Sequence, residues 1–118
     1  MSLKAFCREE KITLGTVQGI GATNDAEVGL FETKSKNYLS HHFTGDFEIT
    51  SLLGNITTFK GEIYLHLHAT LCGKDHHAYG GHLNSATVSA TFEAVIEKTE
   101  GVIEREFNDE IGLNLLKI

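Results

Sequence analysis

The stretch "TVSATFEAVIEK", residues 87–98, constrains the fold more than any other part of the chain. Val88, Ala90, Phe92, Ala94 and Ile96 fall on one side of it, and Thr87, Ser89, Thr91, Glu93 and Glu97 on the other. A period of two lines one face of a strand but smears an apolar stripe around a helix. The pattern predicts a long strand with a single core face. The same alternation runs through "GDFEITSLLGNIT", residues 45–57, placing Phe47, Ile49, Ser51 and Leu53 on one side and Glu48, Thr50 and Leu52 on the other. Gly54-Asn55 within it signals a turn or bulge. The chain has no proline and twelve glycines, so its turns fall to Gly, Asn and Asp, which suits strands joined by tight connections.

Leu3, Phe6 and Cys7 sit at i, i+3 and i+4 behind Ser2, which predicts a short helix near Leu3 to Glu10 with a serine cap. Residues 12–22 are apolar and glycine-rich, more like a strand with a bulge than a helix. Residues 26–33 predict a short strand. Residues 102–107 predict another, followed by a polar turn and an apolar end. The fold class is α+β: a mainly antiparallel, twisted sheet with one or two helices, in one domain over residues 1–118.

Charge and composition exclude several functions. Ten Lys and Arg against sixteen Asp and Glu give a net charge of −6. Affinity for nucleic acid draws heavily on basic residues that neutralise phosphates, and no basic cluster is present. No run approaches the ~20 apolar residues that span a bilayer. Cys7 and Cys72 stand far apart with no CxxC, so neither a disulfide framework nor a thiolate metal site is expected. The start of the sequence lacks the pattern of a secretory signal, and a cytoplasmic location is the expectation.

Five of the seven histidines lie in "LHLHATLCGKDHHAYGGHL", residues 65–83. The segment "GKDHH" between two strand-like runs predicts a five-residue loop closing an antiparallel hairpin. With Asp75 at its centre, residue 68 faces residue 82 and residue 66 faces residue 84. His66 and His68 share a face of their strand, and directly opposed residues have Cβ atoms ~4.5–5.5 Å apart. His68 and His82 therefore meet, with His66 one diagonal away. Three converging imidazoles match a metal site with one open position, zinc first; nickel, copper and iron also accept imidazole. A loop one residue longer or shorter would turn His82 to the opposite face. Gly80-Gly81 suits a close approach of backbone beside it. His76 and His77 fall in the loop, and His41-His42 point to opposite faces, so neither pair joins the site. Glu97, Glu104, Glu106, Asp109 and Glu110 read as a solvated acidic face, and Arg105 as an ion pair at the surface or a subunit boundary.

Six segments, "TVQGIGATNDAEVGLFE", "FEITSLLGNI", "LHLHATL", "YGGHL", "FEAVIE" and "EREFNDEIGLNLL", follow in this order over nearly the whole chain. Together they resemble the plants-and-prokaryotes-conserved (PPC) domain. The resemblance implies a fold around a twisted, mostly antiparallel sheet, assembled as a homotrimer, and in single-domain prokaryotic members a pairing of H-x-H with G-G-H. On this sequence those positions are His66, His68 and His82. Two departures stand out. The resemblance implies a first strand ahead of the helix, which this sequence is expected to lack, and no AT-hook of the kind that precedes the domain in land plants is present, which separates the domain from the family's DNA-binding label. The expected function is a trimeric metal-binding module, binding a protein or small-ligand partner; the alternative is an enzyme using the open metal site on a small substrate.

Overall fold

A computed structural model describes residues 1–118. Helix α1, Leu3–Glu9, is followed by strands β1 Gly15–Phe31, β2 Tyr38–Phe59, β3 Glu62–Cys72, β4 Ala78–Lys98, β5 Glu104–Asn108 and β6 Leu113–Leu116. The glycine-rich run and the segment after it are one strand, β1, rather than two. Strands β1 to β4 pair antiparallel in a closed circuit: β1 with β2, β2 with β3, β3 with β4, and β4 with β1. Strand β5 adds to β2 in parallel through Thr58 and Phe59, and β6 pairs antiparallel with β5. The sheet is therefore mixed, with one parallel join in an otherwise antiparallel arrangement, and the helix is single.

Ser2 caps α1 as expected, its Oγ accepting the amide proton of Ala5 at 3.1 Å. The helix covers a gap. Strands β3 and β4 pair only from His68 to Cys72 against Ala78 to His82, then separate. Cys7 of the helix is fully buried with Ile12, Ile56 and Ile63, and Ile96 of β4 packs against this group. The main core lies within the circuit and comprises Val17, Ala26, Val28, Ile49, Leu52, Ala69 and Leu71.

Two expectations for β2 are corrected. Residues 54 and 55 make no turn, because β2 runs straight through them. Gly54 is needed there for closeness: a Cβ on it would lie 2.1 Å from the carbonyl oxygen of His66 on β3. Leu52 and Leu53 also exchange sides. The β2–β3 register shifts between Ile49 and Ser51, leaving Thr50 as an extra residue. A bulge of this kind reverses the alternation beyond it. Leu52 consequently joins Ile49 inside, at 4 % exposure, while Leu53 is 57 % exposed.

The late strand departs from its pattern in another way. On β4, Phe92 and Ile96 are half-buried, but Val88, Ala90 and Ala94 of the same stripe are exposed. Beyond His82 one edge of β4 pairs with β1 and nothing pairs with the other. The chain spreads to 41 × 38 × 17 Å with a radius of gyration of 14.9 Å, where about 13.5 Å suits its length. Its accessible surface is 7735 Å², against about 6,300 Å² for a monomeric globular protein of this mass.

The bulge makes a direct prediction. Leu52→Ala should cost about 2–5 kcal/mol in urea unfolding, as deletion of a core leucine does. A cost below about 1 kcal/mol would return Leu52 to the surface.

Candidate metal centre

The hairpin that carries the histidines has the predicted loop. β3 ends at Cys72 and β4 begins at Ala78, leaving Gly73 to His77 between them. Asp75 holds this loop: its Oδ1 accepts the amide proton of His77 at 3.1 Å, and its Oδ2 accepts the hydroxyl of Tyr79 at 2.7 Å. His76 takes a positive φ of 61° and donates its amide proton to the carbonyl of Gly73. The register that follows pairs Cys72 with Ala78, Leu71 with Tyr79 and His68 with His82. Gly80 and Gly81 let neighbouring strands press close, since a Cβ on either would collide with the carbonyl oxygen of Ala69 or Gly29. The pairing ends at His68 and His82, so residue 66 is not laddered to residue 84 as expected. The strands diverge there, and His66 reaches His82 across the diagonal.

Three imidazoles converge as a result. Ring centroids lie 5.1 Å apart for His66 and His68, 5.2 Å for His66 and His82, and 5.6 Å for His68 and His82. One nitrogen from each ring lies within 4.8 Å of the other two. His66 and His82 are half-buried and His68 is exposed. None of their ring nitrogens is hydrogen-bonded within the chain, and no carboxylate forms an ion pair with them. Three imidazole nitrogens with no acid partner match the donor set of a divalent transition-metal site. The other histidines stay apart. His42 pairs with Asp25 at 2.9 Å, His41 stacks on Phe43, and His76 and His77 lie in the exposed loop.

Burial and nearby positive charge set the protonation of His66 and His82. Desolvation lowers the pKa of His66, with Arg105, His82 and His68 adding positive charge nearby. His82 is lowered by desolvation and then by His68. Both rings are thereby biased toward the neutral form that can ligate a metal.

Residues far away in sequence frame the site. Tyr38, at the start of β2, lies edge-on to His82 with centroids 6.1 Å apart. Its hydroxyl donates to Oδ1 of Asn84, whose Nδ2 donates to Glu27 at 3.0 Å. A cleft of about 960 Å³ opens where β3 and β4 part, lined by Tyr64, Leu65, Leu67, His82, Leu83 and Phe92 among others. No local pattern announces these neighbours, because only the closed circuit brings β1, β2 and β4 together. Arg105 and Glu104 also depart from expectation. Arg105 is 7 % exposed and has no carboxylate partner. Glu104 accepts from Thr58 Oγ1 at 2.7 Å and from the amide of Gly61, tying β5 to the β2–β3 turn instead of facing solvent.

Comparison with known proteins decides the family. The family model of the Plants and Prokaryotes Conserved (PCC) domain matches residues 1–100. The chain belongs to this family. No curated protein matches it. Among solved structures, this PCC domain is similar to a candidate DNA-binding protein from Bacteroides thetaiotaomicron, at 38% identity and a TM-score of 0.94 over 98% of this chain and 80% of that one. A metal-containing protein from Archaeoglobus fulgidus is 33% identical, with a TM-score of 0.89 over 98% of this chain and 82% of that one. A plant- and prokaryote-conserved protein from Pyrococcus horikoshii is 30% identical, with a TM-score of 0.86 and the same coverage.

The lowered histidines give a testable sign. The folded protein binds fewer protons at His66 and His82 than the unfolded chain does, so unfolding gains protons as pH falls through the ordinary imidazole value of 6.5. Their contribution to stability is complete above that value and is lost as pH drops through the lowered folded values. Proton NMR of the metal-free protein should show both rings titrating below 6.5. Midpoints above 6.5 would contradict the geometry described.

Proposed function

We propose that this PCC domain is a homotrimeric metal-binding module that holds a divalent ion, zinc first, on His66, His68 and His82. The observation that carries the proposal is the convergence of one nitrogen from each of the three rings within 4.8 Å on adjoining strands. Such a set leaves a fourth position for water, an anion or a partner's atom. The metal-containing relative from Archaeoglobus fulgidus is consistent with it.

When bound, a dication there would polarise whatever occupies the fourth position. The chain's own residues do the rest: His66 and His82 offer neutral nitrogens, and Tyr38 walls one side of His82. Binding is favoured over catalysis because no carboxylate pairs with the triad to serve as a general base. The cleft beside His82 has the size and apolar lining of a small-ligand pocket. DNA binding by this domain alone is disfavoured by the net charge of −6. The DNA-binding description of the Bacteroides relative is therefore not carried over to this chain.

Trimer formation draws on the surface. Ile20, Leu53 and Val95 are 57–59 % exposed and share one outer face, since Gln18 pairs with both Leu53 and Val95. Leu53 faces His68 across β2 and β3, so this apolar face reaches the triad. Exposed apolar faces of this kind mark contact surfaces, and the open edge of β4 is a second one.

Two experiments test the proposal. Protein purified without a histidine tag should carry close to one metal per chain, and His68→Ala should lose most of it; equal metal content in the two defeats the site. His68 is exposed, so the variant should fold. Light scattering should give three chains per particle, with Val95→Glu shifting the mass toward one chain. A wild-type particle of one chain would refute the assembly.

A further inference from the structure

Arg105 poses a problem of charge that a metal on the triad would deepen. Its guanidinium is buried and meets only neutral acceptors: Nε donates to Thr57 Oγ1 at 2.8 Å, one terminal nitrogen to Asn55 Oδ1 at 2.8 Å, and the other to the carbonyl of Asn114 at 2.9 Å. The ring of Tyr64 stacks over it at 4.8 Å. A buried cation without a counter-ion is costly. The location of this one is informative. Asn55 faces His66 and Thr57 faces Tyr64 across β2 and β3, so the guanidinium lies on the side of the sheet that carries the triad, next along from His66. A dication on three neutral rings adds two positive charges to that of Arg105. No acid of the same chain is in contact to offset any of them.

We propose that the fourth position of the metal centre is built to take an anion, a small carboxylate or phosphate-type oxyanion, and that Arg105 is the positioning charge that selects it over a neutral ligand. The proposal rests on the metal site argued above. Arg105 does not touch the anion; it acts through its field, which is long-ranged in a partly buried site. The same field opposes the metal, so Arg105 costs metal affinity while it favours the anion. A residue that only tied β5 and β6 to β2 would support both.

Two opposite responses therefore test it. Cobalt(II) is titrated into tag-free protein in an anion-poor buffer, and acetate or inorganic phosphate is then titrated into the cobalt form, followed by the visible cobalt spectrum. Arg105→Gln should weaken binding of the anion on the order of tenfold while leaving cobalt binding equal or tighter. Arg105→Lys should recover most of the anion affinity. Because Arg105→Gln could impair folding, Asn55→Asp supplies a second route. It puts a carboxylate on the guanidinium with little change of shape, and it should shift both affinities as Arg105→Gln does. Loss of cobalt and anion binding together in Asn55→Asp would overturn the inference, as would unchanged anion affinity. Wild-type protein that takes up cobalt but responds to neither anion would overturn this inference alone, and protein that takes up no cobalt would overturn it along with the metal site.

Discussion

The antiparallel pairing of His68 with His82 is the constraint on which the site depends. It is set by a five-residue loop held by Asp75, not by any attraction between the rings, which repel one another once protonated. Side chains alternate along a strand, so shifting this register by one residue would carry His82 to the opposite face and disperse the cluster. The backbone thus meets the cost of holding three imidazoles together before any ligand arrives. That is the meaning of preorganisation here: His66 and His82 half-buried and biased to the neutral form, and no ring of the three with a hydrogen-bond partner to give up.

The strands that create the site also create the chain's open surface. β3 and β4 pair over only five residues each and then diverge. Their divergence brings His66 onto the diagonal to His82, opens the cleft, and leaves an edge of β4 unpaired. Helix α1 covers part of the gap through Cys7. The rest, with the outer face of Ile20, Leu53 and Val95, accounts for a surface larger than the chain's mass requires. The histidine cluster, the cleft and the open edge of β4 are consequences of one departure from regular pairing.

Local chemistry in the sequence revealed the loop, the serine cap, the period-two strands and the three histidines. In each, a few neighbouring residues decide the outcome: turn formers between strands, a hydroxyl ahead of a helix, alternation within ten residues. The failures came where distant partners decide. The bulge at Thr50 that inverts Leu52 and Leu53 depends on pairing with β3. Gly54 reads as a turn because glycine breaks strands, whereas here it makes room for the carbonyl of His66. Arg105 between two glutamates looks like a solvated ion pair. Its burial follows from the parallel join of β5 to β2, which no local pattern encodes. Tyr38 and Asn84, forty-six residues apart, meet only because the strand circuit closes.

Anomalous scattering at the zinc edge from crystals of zinc-loaded protein tests the central claim most directly. A single strong peak per chain should lie ~2.0–2.1 Å from one ring nitrogen of each of His66, His68 and His82, the distance of a zinc–histidine bond. A peak elsewhere, or a ring of His82 turned away from the other two with nothing between them, would contradict it.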